Sequence, residues 1–529
     1  TEDIVAAQAL FSNVNARKAV AMAFDKSYIT DLILGNGSLP TDYLVPLGLS
    51  TDANGDDFRA AYPDGWNHFD VAMAQEYWAT ALSELGITEI SIELLTYDSD
   101  SSKKISEYIQ GQLESNLPGL TVTLNQQPFE NKLALAEQGQ FELQFAGWGP
   151  DYPDPMTFLD MWISGSGHND AGYSSDDYDS MIAASKTGEL ATKYDERWTT
   201  LQEAEALLIG EDAVLIPLYQ RSLKIVQREY VEGIIAHTFG GDYTFKRATT
   251  TQTNDDGLTQ INLPDSSDIP SMNTSLATDS VSFQAAANVL EGLVMLGEND
   301  VVEPGVAESW DISADGLNYT FHLREDAVWS NGDPVTADDF VYAFQKLADP
   351  ATGSQYNFMI ETASIANGAA VMAGEAGVEE LGITAVDAQT LEIQLEIAVP
   401  YFIKVMAFPS FYPLNQAFVE EQGDLFGTSP ETTLYNGAFV LSKWEIGLTY
   451  EYAKNDTYWD ADATTVDVVN FRIVKDTNTA VNMYETGEID RVGLDADNLP
   501  AYLDDPNLFD KSDTVSFYLV FNINNNDQY

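Results

Sequence analysis

Residues 91–155 read SIELLTYDSDSSKKISEYIQGQLESNLPGLTVTLNQQPFENKLALAEQGQFELQFAGWGPDYPDP, and they show a clear alternation of strand and helix patterns. Three of its runs have the apolar pattern of strands and two have the spacing of helices. In chain order they are 91–97 (strand), 103–113 (helix), 120–124 (strand), 129–138 (helix) and 141–146 (strand). Strands that alternate with helices predict parallel βαβ units in an α/β fold.

The segment GWGPDYPDP, residues 147–155, follows the third predicted strand. Gly147 and Gly149 carry no Cβ, so another backbone can come close to them. Asp151 follows within one turn, and the prolines keep a helix from starting early. Because ligands of open parallel sheets bind beyond the carboxyl ends of the strands, the segment is a candidate site for an extended ligand. The alternative interpretation is a strand that ends in an ordinary Pro/Asp turn.

Length, charge and composition limit the number of domains and the kinds of partner that this protein can have. The 529 residues, 44% of them hydrophobic, predict three to four globular domain-sized units. A net charge of −60 argues against nucleic acid as a partner, because no basic stripe can neutralise phosphates. An acidic shell is typical of solubility or salt tolerance, and attraction of cationic ligands is the lesser interpretation.

No metal or cofactor site is predicted. The absence of cysteine excludes disulfides, thiolate nucleophiles and cysteine-ligated zinc. His68, His168, His237 and His322 are scattered without the spacing of metal ligands. The calcium-like run at 52–56 lacks the glutamate of an EF-hand and is interpreted as a turn. The common nucleotide-binding and hydrolase motifs are also missing.

The sequence also predicts local features outside the central stretch. No apolar run is long enough to span a membrane, and the lack of a signal peptide suggests a mature or recombinant form. Ser12 or Asn13 can cap a helix that runs to about Tyr28. Alternation at 317–323 predicts a strand, Thr336 is expected to cap the following helix, and the polar run 248–258 is the best linker candidate.

Several separate motifs resemble the oligopeptide-binding proteins of ABC importers, and the similarity covers nearly the whole chain. The motifs are NARKAVAMAFDK (15–26), GWGPDYPDP (147–155), VEPGVAESW (302–310), WSNGDPVTADDF (329–340), NGAF (436–439), NDTYWD (455–460) and YETGEID (484–490). The resemblance implies an α/β, two-lobed, periplasmic-binding-protein-like fold with mixed sheets and a small extra α+β domain.

The order of these motifs differs from that of the family. TQINLP at 259–264 would lie near the family's start and IPLY at 216–219 near its end, while FNINNN at 521–526 would lead into 13–26. We therefore predict a circular permutant, opened between Tyr529 and Thr1 and joined near 248–258. The alternative is two unrelated half-domains in tandem.

The family architecture also implies a division into domains. One lobe would combine 1–28, 223–295 and 435–529, and would contain the permutation junction. A second lobe, 29–222, would carry the GWGPD segment. The small extra domain would be 296–434.

The resemblance implies roles for individual residues. Asp151 would bind the α-ammonium of a peptide, and Gly147, Trp148 and Gly149 would bind its main chain. Phe129 stands where relatives have a pocket tryptophan, and packing in the core is an equally good interpretation. The other positions that align near the ligand are Asn522, Ser282, Phe283 and Arg221, of which Asn522 could also be a strand-end turn residue.

Two positions depart from enteric relatives. Phe145 and Ser102 replace an arginine and a histidine that help to hold the carboxylate of short peptides. Without those basic groups we predict a preference for longer peptides, and Arg221 is the nearby cation that could compensate.

The function implied by the resemblance is not enzymatic: it is capture of oligopeptides in an interlobe cleft and delivery to an ABC permease. The protein would be an extracellular, cell-surface or periplasmic monomer, held at the membrane only through a lipid anchor that has been removed. The alternatives are a dipeptide or oligosaccharide binder of the same fold, an engineered sensor or display scaffold and, less favoured, a glycosidase with two carboxylates across a cleft.

Overall fold

The structure is a computed structural model that describes residues 2–523, with side chains from residue 4. The strands are β1 (Leu39–Pro40), β2 (Ile90–Tyr97), β3 (Leu120–Gln127), β4 (Leu143–Trp148), β5 (Leu215–Gln227), β6 (Val231–Glu232), β7 (Ile235–Ala236), β8 (Tyr243–Thr244), β9 (Thr249–Thr250), β10 (Gln260–Asp265), β11 (Val294–Leu296), β12 (Val302–Pro304), β13 (Ala307–Ile312), β14 (Asn318–Leu323), β15 (Ile383–Asp387), β16 (Thr390–Gln394), β17 (Phe439–Glu445), β18 (Thr449–Lys454), β19 (Val468–Ile473), β20 (Arg491–Leu494) and β21 (Leu508–Phe521).

The α-helices are α1 (Glu2–Phe11), α2 (Val14–Met22), α3 (Lys26–Tyr28), α4 (Val71–Leu85), α5 (Asp100–Asn116), α6 (Phe129–Glu137), α7 (Met156–Leu159), α8 (Asp176–Lys186), α9 (Tyr194–Glu205), α10 (Ser280–Val289), α11 (Ala337–Ala348), α12 (Phe358–Thr362), α13 (Gly368–Met372), α14 (Phe402–Val405), α15 (Gln416–Gln422) and α16 (Thr477–Thr486). Short 3-10 turns and two π-helical segments, Ile29–Leu34 and Ala206–Glu211, complete the regular structure.

The chain forms two compact units, each with α-helices and mixed sheets. Within the described residues, unit 1 comprises 2–226, 475–482 and 492–523, and unit 2 comprises 227–474 and 483–491. The predicted α/β fold with mixed sheets is therefore confirmed.

The main sheet of unit 1 has the strand order β1-β5-β21-β4-β2-β3. Strand β2 pairs in parallel with both β3 and β4, as the βαβ pattern of the sequence predicts. Strand β21 is antiparallel to β4 on one side and to β5 on the other. The third predicted strand, 141–146, lies at 143–148, because β4 stays paired with β21 through Gly147 and Trp148.

Helices α1, α2, α4 and α5 share the core of unit 1 with one face of this sheet. The Asn13 side chain, rather than that of Ser12, caps α2 by accepting the main-chain N–H groups of Asn15 and Ala16. The helix predicted to run to about Tyr28 is interrupted after Met22, and Asp25 caps a new short helix. Strands β2, β3 and β4 therefore share a buried core with these helices.

Unit 2 has two larger sheets. In the sheet β10-β19-β18-β17, β10 and β19 are parallel and the other neighbours are antiparallel. The sheet β13-β14-β16-β15 is antiparallel and contains the strand predicted at 317–323. Thr336 begins α11 with a capping box that includes Asp339.

The compact units differ from the predicted lobes. Residues up to 28 pack in unit 1 with 29–222, because α1 and α2 belong to the core of the main sheet. Residues 492–523 also belong to unit 1, because β21 lies between β4 and β5. The predicted small domain, 296–434, lies within unit 2.

The predicted linker near 248–258 is partly ordered as β-structure. Strand β9 pairs with β6, and Thr253 forms a bridge with Thr259. The other predicted break, between Tyr529 and Thr1, lies outside the described residues. Among residues 2–523, no helix is both long enough and apolar enough to span a bilayer.

Candidate functional site

The candidate site is centred on residues 145–148, the last four residues of β4, which are called the outer part of β4 below. The parallel ladder between β2 and β4 consists of Leu94–Leu143 and Leu95–Gln144. On the opposite side, the β21 ladder continues along β4 to Trp148. Within residues 2–523, no strand is registered against the β2-facing side of 145–148. Alternate residues of a strand direct their N–H and C=O groups to opposite sides, so an extended chain can pair here.

Gly147 is required by a close contact inside the protein. A Cβ at this position would lie 2.8 Å from ring atoms of Phe517, the residue opposite it on β21. A Cβ on Gly149 would meet only Val515 Cγ2, at 3.4 Å. The sequence suggests that both glycines make room for a ligand, whereas the absence of a side chain at Gly147 makes room for the Phe517 ring.

Asp151 is buried, with 4% of its surface exposed. Its main-chain N–H donates to Thr157 Oγ1 at 3.0 Å, which fixes the turn that follows β4. Asp154 begins the next turn and forms a two-pronged ion pair with Arg197 at 2.8 and 2.9 Å. The segment after Gly149 is therefore rigidly held, and the Asp151 side chain does not extend into bulk water.

Aromatic rings lie at the end of β2 and the start of α6. Tyr97, at the carboxyl end of β2, stacks on Phe129 with ring centres 5.7 Å apart. The Tyr97 ring also meets Phe145 edge-on at 5.9 Å. Phe145 is 1% exposed and belongs to the core of unit 1, whereas Phe129 and Tyr97 are half-buried. The Tyr97 ring therefore lies in contact with both the half-buried Phe129 and the buried Phe145.

Ser102 lies in the first turn of α5. It is buried, and its hydroxyl accepts a hydrogen bond from the hydroxyl of Ser99, the N-cap of the helix, at 2.8 Å. Neither Ser102 nor Phe145 carries a basic group.

Arg221 is already engaged by a carboxylate. Its Nε and Nη2 donate to Asp513 Oδ2 at 2.9 and 2.6 Å. Burial raises the pKa of Asp513, but Arg221, Lys511 and the main-chain N–H of Thr514 outweigh that effect, so the pKa lies below its ordinary value. Since the Arg221 charge is matched within the protein, it is a weak candidate for binding the carboxylate of a ligand.

Asn522 follows β21 and is 1% exposed. Its Nδ2 donates to the carbonyls of Gly139 and Phe141, and its Oδ1 accepts from Gln8 at 3.0 Å. These bonds tie the end of β21 to the loop before β4, which fits the interpretation of a strand-end residue.

Ser282 and Phe283 lie in unit 2, in the first turn of α10. The Ser282 hydroxyl donates to Asp279 Oδ2 at 2.7 Å and accepts from the main-chain N–H of Ser271. The Phe283 ring packs against Tyr356 and Phe408, at 5.0 and 4.8 Å. Both side chains are buried in contacts within unit 2.

Among the described side chains, no group of three or more His, Cys, Asp or Glu residues is arranged to hold a metal ion. His168 packs edge-on against Trp148, with ring centres 5.1 Å apart. His237 lies in unit 2, between Asp300 and Thr244.

Sequence reasoning missed Tyr97, His168 and Phe517. Tyr97 is the last residue of a predicted strand, and position at the carboxyl end of a parallel strand was a signal that could have identified it. His168 and Phe517 are far from β4 along the chain, so only the fold brings them to Trp148 and Gly147.

Known proteins share the sequence of this chain in two separate regions. The model of the family described as "Bacterial extracellular solute-binding proteins, family 5 Middle" matches residues 4–170 and 301–528. A dipeptide-binding protein, DppE, of Bacillus subtilis is 36% identical over 246 residues, 46% of this chain and 45% of that protein. The periplasmic oligopeptide-binding protein OppA of Salmonella typhimurium is 39% identical over 216 residues, 41% of this chain and 39% of that protein.

Solved structures are similar over the same extent. The substrate-binding domain of an oligopeptide ABC transporter from Bacillus anthracis is 45% identical over 47% of each chain, with a TM-score of 0.46. Listeria monocytogenes OppA bound to peptide is 38% identical over 47% of this chain and 49% of that chain, also with a TM-score of 0.46.

The chain spans less than half the length of these curated relatives. The two segments that match the family model together make up well over half of the 529 residues. This is a family of solute-binding proteins rather than of enzymes. The chain belongs to the bacterial extracellular solute-binding proteins of family 5.

Proposed function

We propose that this protein is an oligopeptide receptor that binds the main chain of its ligand along the outer part of β4. The observation that carries the proposal is the early end of the β2–β4 ladder at Gln144, while β4 itself continues to Trp148. An extended peptide added at this edge would be bound through its main chain. Such binding is insensitive to side-chain identity, which suits the capture of varied peptides.

Asp151 is the residue that would bind the α-ammonium group at the amino terminus of the peptide. It lies three residues beyond the end of β4 and is buried. An enclosed α-ammonium requires a countercharge and hydrogen-bond acceptors, and a carboxylate at this position supplies both.

The test is calorimetry with one peptide in free and N-acetylated form, on the wild type and on Asp151→Asn. Acetylation should cost the wild type about 3–5 kcal/mol, because Asp151 loses its partner in a buried place. Acetylation should cost the Asn variant much less. Equal affinities of the wild type for the two peptides would remove Asp151 from this role.

The carboxyl end of the ligand would extend freely. Phe145 and Ser102 provide no cation, and the charge of Arg221 is matched by Asp513. Peptides of about eight residues should therefore bind more tightly than dipeptides or tripeptides of the same amino-terminal sequence. Equal affinities across this series would favour a dipeptide receptor and contradict the preference for length.

The physiological role that follows is delivery of peptides to the permease of an ABC importer, outside the cytoplasm. Relatives named as oligopeptide- and dipeptide-binding proteins support this role. Attachment through a lipid anchor and a monomeric state are part of the same proposal.

Circular permutation also remains a proposal, supported by contacts between the two described ends of the chain. The rings of Phe11 and Phe521 are 4.7 Å apart, and Gln8 donates to Asn522 at 3.0 Å. A rearranged chain in which 258–529 precedes 1–247 should fold and bind peptide with unchanged affinity. Failure of this chain to fold would favour two half-domains in tandem.

A further inference from the structure

A buried amide joins two opposite charges next to the candidate site. Gln144, on β4, is fully buried, and Lys132, on α6, is 2% exposed. The Lys132 ammonium donates to Gln144 Oε1 at 2.6 Å. Gln144 Nε2 in turn donates to Asp170 Oδ2 at 2.8 Å. The three side chains form a continuous relay from a cation to an anion.

The charges of this relay depend on each other. Burial lowers the pKa of Lys132 to about 8, and the Asp170 carboxylate opposes this shift. Burial raises the pKa of Asp170, and its bond from Gln144 and the charge of Lys132 oppose that shift. Removing one buried charge leaves the other without compensation, whereas removing both costs far less.

The relay connects the elements that position Trp148. Gln144 lies four residues before Trp148 on the same strand. Asp170 lies two residues after His168, whose ring packs against Trp148. Lys132 lies on the helix that begins with Phe129, and its ammonium is 5.0 Å from the centre of the Tyr97 ring. One network therefore joins α6, β4 and the loop 163–175.

We propose that Lys132, Gln144 and Asp170 are positioning residues for ligand binding: the relay holds the loop 163–175 against β4, so that His168 supports the Trp148 indole. The proposal rests on the proposed peptide-binding function. It assigns a role in affinity, without direct contact with the ligand, to two buried side chains and to the part-buried Asp170.

The test is a double-mutant cycle on peptide affinity with Lys132→Met, Asp170→Asn and both together. Lys132→Met should weaken binding about tenfold, the size of effect expected from a coupled residue outside the site. The double variant should return to within about threefold of the wild type, because the buried charge pair is removed as a unit. A packing defect at Lys132 would not be rescued by Asp170→Asn, so additive losses would overturn the proposal. Unchanged affinity in Lys132→Met would overturn it as well.

The pH dependence gives a second readout. Wild-type affinity should fall as the pH rises through about 8, because Lys132 loses its proton there. The other titratable groups that face Lys132 and Asp170 are Tyr97, Tyr518 and Glu137. The α-ammonium of the peptide titrates in the same range, at about 8. The double variant, which keeps only the contribution of the peptide, should show a shallower profile, and identical profiles would contradict the relay.

Hydrogen exchange separates this proposal from the proposed function. Without any peptide, amides of 163–175 should exchange faster in Lys132→Met than in the wild type, and the double variant should reverse the change. Lys443→Met, at an exposed lysine in unit 2, is the matched control and should leave this loop unaffected. If the wild type binds no peptide but exchange in 163–175 changes in the two variants as expected, only the proposed function is refuted. Normal peptide binding without the pattern would refute only the relay.

Discussion

Two parallel strand pairs, β10–β19 in unit 2 and β2–β4 in unit 1, differ in how much of their length is paired. In unit 2, β10 and β19 are paired along their whole length, from Gln260–Val468 to Asp265–Ile473. In unit 1, the pairing of β2 with β4 ends after two residue pairs, although β4 continues for four more residues. A complete ladder satisfies its own N–H and C=O groups, whereas an incomplete ladder needs another partner. The comparison is the basis for proposing the incomplete ladder as the place for a ligand.

A second irregularity, between β21 and β5, is filled by side chains of the protein itself. The register between β21 and β5 breaks between Ser512 and Ser516. In that break, Gln220 donates to the carbonyl of Asp513, and Arg221 binds the Asp513 carboxylate. A gap in a ladder therefore indicates a binding site only where internal side chains do not occupy it.

The largest expected effect on stability and peptide binding comes from substitution of Gly147, which lies on β4, the strand with the incomplete ladder. Gly147→Ala places a methyl group 2.8 Å from the Phe517 ring, so this ring or the strands that carry the two residues must shift. We expect a loss of about 2–3 kcal/mol in the free energy of unfolding, together with weaker peptide binding.

Gly149→Ala is the matched control for that experiment, because its methyl group would meet Val515 at an ordinary distance of 3.4 Å. Denaturant unfolding and calorimetry should show little change in this variant. Equal losses in the two variants would contradict a specific role of the Gly147–Phe517 contact.

Asp513→Asn should have a smaller effect that depends on pH. The folded state lowers the pKa of Asp513, so its contribution is fully present above the usual value of 3.8 and is lost as the pH falls through the folded value. We expect the variant to be less stable than the wild type by about 1–2 kcal/mol at pH 7. The difference should shrink below about pH 4. A difference that stays constant down to pH 2 would show that the ion pair is not the cause.

The smallest predicted effect is that of Phe129→Ala on peptide affinity, and Val469→Ala is its control for a change in stability alone. Phe129 is half-buried beside Tyr97, so Phe129→Ala should weaken peptide binding by roughly 1 kcal/mol and change stability by a similar or smaller amount. Val469 is fully buried in β19, at the complete ladder. Val469→Ala should lower stability and leave peptide affinity unchanged. Loss of affinity in Val469→Ala would weaken the distinction between the two strand pairs.

Much of the fold follows from local sequence. The strands and helices between 90 and 148 follow the predicted periodicities, because each element has its own apolar pattern. The sequence patterns could not show that the residues near both ends of the chain, 2–28 and 492–523, pack in unit 1 with 29–222. Strand β21 lies between β4 and β5, more than 280 residues away along the chain, and only tertiary pairing determines that position.

The candidate site was predictable in part. Gly147, Trp148, Gly149 and Asp151 stand out because glycines and a carboxylate follow a strand. Lys132, Gln144 and Asp170 carry no such signal, since a lysine on a helix and a glutamine in a strand are ordinary surface residues until the fold buries them.

The most direct measurement is amide hydrogen exchange with and without a saturating octapeptide. The amides of 145–148 should become protected by the peptide, while that of Asp151, which already donates to Thr157, and those of 260–265 in β10 should exchange slowly in both states. Protection that appears elsewhere in unit 1, with 145–151 unchanged, would contradict binding at the open side of β4.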